Sequence, residues 1–510
     1  MFDYCFLYLD DFFMREDILQ TKLDKLNNIR AFGMEAYPEK TTRSMTNLAA
    51  LEGFDALGEK EITLVGRVRS MRPMGGSTFA HIEDGTAKVQ VFLNKNNIIT
   101  DANLRMKSES TNGMDKYKLF AKNVELGDFV QVTGKLFKTK QEEKTVEVHD
   151  WKMLTKNIRP IPTEHFGIKD EEEKLRKRYL DLMTNPDTRE LFRKKNVFWQ
   201  TVRTSLASEG FLEVQTSAFE HTPGGADAEP FITHHNALDQ DFYLRISLEL
   251  PLKRLLVGGY ERVFEIGRVF RNEGMDRDHL QEFDHMEFYW AYADFSQGLQ
   301  FMEKMFKEIA LNVLGSYVHE YEGEKIDWEQ KFPVVDYFDA LKKETGIDLN
   351  EEWSVPDLKK KADELGIKYE AGYSKGRMID TLYKRTVRQK MIQPCFLVGH
   401  PLEVSPLAKS DPENPKKVLR VQLVAGKSEL CNAFAELNDP IVQKERFMDQ
   451  MKAREEGDKE AQMLDEDFIE ALEYGMPPAF GFGFSERLFS FLMNRSIRET
   501  VIFPAMKSKI

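Results

Sequence analysis

Residues 261–292 read ERVFEIGRVFRNEGMDRDHLQEFDHMEFYWAY. Side chains of an extended chain alternate between its two faces. In the first half, Val263, Glu265, Gly267, Val269, Arg271 and Glu273 therefore share one face, and Phe264, Ile266 and Phe270 the other. A loop spans Gly274 to about Phe283. In the returning half, Met286, Phe288, Trp290 and Tyr292 make an apolar face, while Glu287 and Tyr289 point the opposite way. If both apolar faces pack on a core, Arg271, Glu273, Glu287 and Tyr289 line one polar surface. That pattern alone suits a solvated sheet face with scattered ion pairs equally well, because sheets with one wet face are common.

The flanking sequence narrows the choice. In SELCNAFAELND, Leu430, Asn432, Phe434 and Glu436 alternate onto one face, with the small Ala433 and Ala435 opposite. In AFGFGFSERLFSFL, Gly481 and Gly483 permit close backbone approach, and Arg487 opens an apolar helical run. Upstream, Leu191, Phe198, Val202 and Leu206 recur at near-helical spacing until Gly210, after which Phe211-Leu212-Glu213-Val214 becomes a strand. Helices and strands from 189 to 510 follow no βαβ rhythm, which predicts an α+β domain on an antiparallel sheet. Arginines, carboxylates and glycines on successive strands point to a polyphosphate-like anion bound beside a cationic ligand.

The rest of the chain has a different texture. Residues 1–58 predict a helical lead-in. From 59 to 157, five short β runs with glycine-containing turns suit a small barrel. A linker covers 158–188, and the charged, mostly helical stretch of about 316–392 reads as an insertion in the second domain. The apolar start MFDYCFLYLDDFF has no basic n-region and is broken by Asp3, Asp10 and Asp11, so it makes a poor signal peptide; Met14 is a candidate alternative start. No run reaches the roughly 18 apolar residues of a membrane span. Cys5, Cys395 and Cys431 are odd in number and widely spaced, giving neither a disulfide framework nor zinc spacing and favouring a reducing cytoplasmic compartment. A net charge of -13 argues against indiscriminate nucleic-acid binding.

With these residues in view, the chain resembles a class II aminoacyl-tRNA synthetase of the lysyl type. Three motifs occur in order: Gly210-Phe211-Leu212-Glu213-Val214-Gln215-Thr216, Phe270-Arg271-Asn272-Glu273 with its loop and return strand, and the glycine-rich strand ending at Arg487. The lysyl type is marked by TPGGADAEPFITHHNALDQDFYLRIS, ELPLKRLLVGGYERVFEIGRVFRNEG, MEFYWAYADF, PLEVSPLAK, NAFAELND and ETVIFPAM. The likeness covers most of 59–300 and 390–510.

The resemblance implies a set of roles. Arg271 binds the α-phosphate and the substrate carboxylate; with Arg487 it forms the catalytic pair. Glu273, His279 and Phe283 bind ATP, Phe283 stacking on adenine with Arg487 on its other side. Gly225 and Glu249 hold the substrate α-amine. Glu287, Tyr289 and Glu436 surround the lysine ε-ammonium, and Asn432 and Phe434 complete that pocket. Glu429 and Gln422 are the positions for Mg²⁺, Gln422 standing where the family usually has a glutamate. Two further departures are Ser217, where motif 1 usually ends in proline, and Phe484, where motif 3 usually has glycine. The barrel resembles the OB-fold anticodon-binding domain of the same family, and Arg72, Phe79, Gln90 and Glu143 are the anticodon-reading residues the resemblance implies; the pattern alone would leave Phe79 as a cover for the barrel mouth. Lysine, ATP, tRNA(Lys) and a second copy of the chain are the implied partners. An aspartyl or asparaginyl enzyme shares the architecture, but Glu287 and Glu436 would repel an acidic substrate. A relative with a dead site would have lost Arg271, Arg487 or an ammonium-binding glutamate, and all are present.

Overall fold

The computed structural model describes residues 3–99, 115–162, 167–370, 372–405, 407–455 and 462–508, with the side chains of residues 3–15, 453 and 455 outside that description. The expectation for Cys5 falls outside it; Cys395 and Cys431 are both buried free thiols. Two compact units divide the chain, Met1–Gly167 and Ile168–Ile510. Among the described residues, no helix is long and apolar enough to cross a membrane.

The first unit opens with the helix Asp3–Ala31 and closes as a barrel of β1 (Glu61–Met74), β2 (Ser77–Glu83), β3 (Lys88–Asn94), β4 (Phe129–Lys138) and β5 (Lys144–Thr155), in the order β1-β2-β3-β5-β4. Alternation builds it. Thr78, Ala80 and Ile82 of β2 and Val89, Val91 and Leu93 of β3 point inward and are buried, while Phe79, His81, Gln90 and Phe92 stay half-exposed outside. Trp151 fills the interior edge-on to Phe120, with ring centroids 5.0 Å apart. Ion pairs lock the barrel's end: the buried Lys156 Nζ lies 2.9 Å from Asp128 and 2.8 Å from Glu125, and Lys25 of the first helix reaches Glu125 at 2.7 Å.

The second unit is built on a nine-stranded sheet. Its strands, with those of two small sheets beside it, are β6 (Leu212–Glu213), β7 (Phe219–Glu220), β8 (Ile232–His235), β9 (Gln240–Leu244), β10 (Arg262–Phe270), β11 (Glu282–Ala291), β12 (Val318–Tyr321), β13 (Glu324–Asp327), β14 (Val334–Asp336), β15 (Cys395–Pro401), β16 (Lys417–Ala425), β17 (Ser428–Glu429), β18 (Asn432–Ala435) and β19 (Ala479–Ser485). The main sheet runs β14-β15-β16-β18-β19-β11-β10-β6, with β17 paired to β16. Pairing is antiparallel except at the two margins, β14 with β15 and β10 with β6.

One face of this sheet (Phe264, Met286, Phe288, Phe480, Phe482, Phe484) packs under the helices Pro186–Ser208 and Phe295–Leu314. Proline at the first turn starts the former, and Gly210, at φ 80°, turns the chain after its end. The other face packs Val263, Val269, Phe283 and Tyr289 against the helices Glu249–Val257 and Glu466–Glu473. Residues 316–392 are less detached and less helical than their composition predicts. They include the β12–β13 hairpin and β14, and their helices share a core with Cys395, Leu397 and Val424 of β15 and β16.

Two details differ from simple alternation. β10 ends at Phe270, so Glu273 lies in an exposed loop and not on the strand. Tyr292 falls after β11, at φ 65°, and is exposed, because the chain turns before it can join the apolar face of Met286 and Phe288.

Candidate active site

Cross-strand register assembles the site row by row. Glu287 on β11 stands opposite Glu265 on β10 and Gly483 on β19, and Gly483 opposite Asn432 on β18. One row over, Tyr289 faces Gly481, Gly481 faces Phe434, and Phe434 faces Arg420 on β16. Each row thus has a glycine at its middle. A Cβ on Gly481 would lie 1.9 Å from Glu436 Oε1 and 2.5 Å from the Tyr289 ring; one on Gly483 would lie 2.9 Å from Glu287 Cγ. Gly483 lines a cavity of about 480 Å³, within the range that encloses a small ligand.

The sequence-predicted residues Gly225, Glu249, Arg271, Glu287, Tyr289, Asn432, Phe434, Gln422, Glu429 and Arg487 line this cavity; Glu436 does not, and stands buried behind the lining, against Gly481. Phe283 lies beside it, its ring centroid 5.3 Å from the Arg271 guanidinium carbon. Glu273 and His279 are not brought in. Both are exposed on the loop after β10, where the His279 ring is held 2.8 Å from Asp276.

Charges of both signs line the cavity. Glu287 accepts hydrogen bonds from Ser247 Oγ (2.7 Å), the Leu248 N–H (2.9 Å) and the Tyr289 hydroxyl (2.8 Å). Burial pushes its carboxyl up, but His285, Ser247 and the Leu248 N–H outweigh that and hold it below the usual glutamate range. Glu249 and Glu436 share the buried Lys253, whose Nζ is 2.5 Å from each. Burial raises both carboxyls against the pull of Lys253, Glu436 to about 8. Gly225, at φ 83°, passes so close that a Cβ would lie 2.8 Å from Glu249 Cβ, which only glycine tolerates. The lining cations include Arg271, whose Nε donates to the Ile246 carbonyl at 3.3 Å, and Arg487, 3.6 Å from Asp278.

Arg420 and Lys253 escaped sequence reasoning. Arg420 donates to Asn432 Oδ1 at 2.8 Å and to Ser405 Oγ at 2.9 Å. Its signal is its position two residues before Gln422 on one strand, hence on the same face. Lys253 is four residues after Glu249 on a leucine-rich helix, a spacing that puts the two on one side.

Among the described residues, no cluster of three or more His, Cys, Asp or Glu side chains could hold a metal ion. Glu429 supplies one carboxylate, paired with Arg388 at 3.0 Å. The buried His400, kept neutral by burial and Arg420, donates from Nε2 to Gln422 Oε1 at 3.0 Å, and Gln422 Nε2 donates to Glu429 Oε2 at 3.2 Å. The Gln422 oxygen is therefore turned to His400 and its amide braces Glu429. This donor set suits a hard cation that keeps its waters and is held mainly by a nucleotide's phosphates.

In the first unit, Glu143 accepts from Gln90 Nε2 at 2.7 Å and pairs with His81 Nε2 at 3.0 Å. Phe79 packs on Phe92 with centroids 4.6 Å apart, and Arg72 pairs in register with Phe79 and is exposed. All four barrel residues singled out from sequence thus lie outside the barrel core.

Comparison with known proteins bears on both units. The family described as tRNA synthetases class II (D, K and N) matches residues 170–507, and the OB-fold nucleic acid binding domain family matches residues 62–154. Similar proteins include the lysine–tRNA ligase of Bacillus subtilis, 41% identical over 97% of this chain and 98% of that protein. Those of Pelotomaculum thermopropionicum (40%, covering 97% and 95%) and Moorella thermoacetica (41%, covering 97% and 98%) are similar to the same degree.

Proposed function

The chain belongs to the class II tRNA synthetases of the D, K and N group, and from that premise we propose that it is a lysine–tRNA ligase whose cavity activates L-lysine with ATP. One observation carries the reading: the buried carboxylates of Glu249 and Glu287 and the Tyr289 side chain line the same cavity as Arg271 and Arg487, with the buried Glu436 tied to Glu249 through Lys253. Lysine has two ammonium groups and one carboxylate, and it matches that division. Glu249 and the space beside Gly225 take the α-amine. Glu287, Tyr289 and Glu436 surround the ε-ammonium, with Asn432 and Phe434 at the side. An occupant lacking the ε-ammonium leaves buried carboxylates unpaired, and this is where the selectivity arises.

Arg271 pairs with the lysine carboxylate and the α-phosphate, with the adenine stacked on Phe283. Arg487 faces the polyphosphate. The lysine carboxylate oxygen attacks the α-phosphorus, the bond to the bridging oxygen breaks, and pyrophosphate leaves with the electron pair. A 3′-terminal ribose hydroxyl of tRNA then attacks the adenylate carbonyl, and AMP departs with the hydroxyl proton. No protein nucleophile takes part; the side chains orient the reactants and balance developing charge. Mg²⁺ bound with ATP would neutralise phosphate charge, with Glu429 holding it. Glu273 and His279 contribute to ATP only if their loop folds over the nucleotide.

The barrel reads the anticodon through Arg72, Phe79, Gln90 and Glu143, an aromatic face beside amide and charged groups being suited to unstacked bases. The enzyme works in a reducing cytoplasm as a homodimer. Exposed Leu212, Phe219 and Ile232 support the dimer, and Ser217, which accepts the Phe219 N–H at 3.1 Å, keeps the turn that proline would otherwise form. The decisive assay is ATP–pyrophosphate exchange: lysine should support it and aspartate should not. Exchange with aspartate alone would overturn the assignment.

A further inference from the structure

A buried cation holds one of the carboxylates that line the cavity. Lys253 is completely buried on the helix Glu249–Val257. Its Nζ is 2.5 Å from Glu249 Oε1 and 2.5 Å from Glu436 Oε2, and 5.9 Å from the ring centroids of both Tyr289 and Phe468. The two carboxylate oxygens are therefore no farther apart than twice the ion-pair distance. The second oxygen of Glu436, Oε1, is buried without a hydrogen-bond partner and stands over Gly481, where a side chain would meet both it and the Tyr289 ring. Glu436 thus gives one oxygen to Lys253 and leaves the other unpaired behind Tyr289, which lines the cavity.

We infer that Lys253 is a positioning residue for lysine: its ammonium clamps Glu249 and Glu436 together, so that their carboxyl groups are held where the two ammonium groups of the substrate bind. The inference rests on the reading that this cavity takes lysine. The charges support it. Burial alone pushes both carboxyls up, and Lys253 opposes that push on each. Without Lys253, the two carboxyls face each other in a buried space with no cation between them, and both are driven further toward the protonated form. A neutral carboxyl cannot pair an ammonium at full strength. The groups facing this cluster are Asp227 before β8, Ser247 and Glu249 before and at the start of the helix, His285, Glu287 and Tyr289 on β11, and Glu436 after β18. Lys253 is the cation that bridges two of these carboxylates.

The test compares Lys253→Gln, which keeps a hydrogen-bond donor and removes the charge, with Lys253→Arg, in lysine-dependent ATP–pyrophosphate exchange from pH 6.5 to 9. The expected result for Lys253→Gln is a lysine KM raised at least tenfold at pH 7, with the ATP KM changed less than twofold. The excess over wild type should shrink as pH rises and the carboxyls ionise. Lys253→Arg should fall between the two. An unchanged lysine KM, or a loss shared by both substrates and flat with pH, overturns the inference. If Lys253→Gln does not fold, the double variant with Glu436→Gln is made. Recovery of the fold supports charge compensation, and failure of the double variant assigns Lys253 to packing alone. Absence of lysine-dependent exchange in the wild-type enzyme would instead refute the functional reading itself.

Discussion

Gly481 is the residue where the fold and the chemistry are most tightly tied. Its missing side chain is the space between Tyr289 and Glu436, and a Cβ there would sit 1.9 Å from a buried carboxylate oxygen. Gly481→Ala should therefore push Glu436 aside and lower kcat/KM for lysine by about 10- to 100-fold, the equivalent of 1–3 kcal/mol of overpacking. ATP binding and the circular dichroism spectrum should stay near wild type; an unaltered lysine KM would show that Glu436 does not serve the substrate. Glu436 itself yields a pH prediction. Burial raises its carboxyl to about 8, and pairing with an ammonium requires the ionised form. Lysine affinity should climb by close to tenfold per pH unit as pH rises toward 8 and level off above it, by linkage. The proton released on binding at neutral pH can be counted by calorimetry in buffers of different ionisation enthalpy. Binding that is flat with pH and releases no proton would mean that Glu436 is already ionised or does not contact lysine.

At the scale of elements, period-two alternation made the barrel legible: Ala80 and Ile82 inside, Phe79 and His81 outside, as their spacing predicts. The hairpin of β10 and β11 was legible for the same reason, and with it the Glu287–Tyr289 pair. Alternation fails where strands stop, which is why Glu273 and Tyr292 were assigned to faces they do not join. It is also silent on long-range partners. Nothing local marks Arg420 as the residue that holds Asn432, and a lysine in a helix reads as solvated until the tertiary fold buries it. Lys156 shows the same limit in the barrel, where it follows the last residue of β5 and yet is fully enclosed against Asp128. Removing one partner of a buried pair leaves the other charge stranded, at about 3–5 kcal/mol. Lys156→Met should lower barrel stability by that amount, seen as faster hydrogen exchange in β1–β5, and Asp128→Leu added to it should restore most of the loss. Unchanged exchange in the single variant would show that Asp128 is satisfied by the Glu125 and Asn157 N–H groups it already accepts.

For the whole molecule, every residue lining the cavity belongs to the second unit, so the two units should fail separately. Phe79→Ala should spare lysine activation and reduce tRNA aminoacylation about 5- to 150-fold, as loss of one base stack of 1–3 kcal/mol implies; equal loss in both assays would remove the anticodon role. Association of two chains is testable in the same way. The ribbon of β7, β9 and β8 leaves Phe219 and Ile232, which pair with neighbouring residues of β9 and so point to opposite faces, 52% and 63% exposed. A ribbon with bare apolar side chains on both faces gains little from water on either, and covering each such residue contributes about 1.5–3 kcal/mol. Phe219→Asp with Ile232→Asp removes both contributions and adds charges that an apolar partner surface cannot pair. Dissociation should strengthen by two to four decades, roughly the sum of the two terms. Light scattering should then show the wild type at twice the 59.3 kDa chain mass and the double variant at that of one chain. A wild type that is monomeric at micromolar concentration, or a double variant that stays dimeric, would locate any association elsewhere and leave this ribbon without a partner.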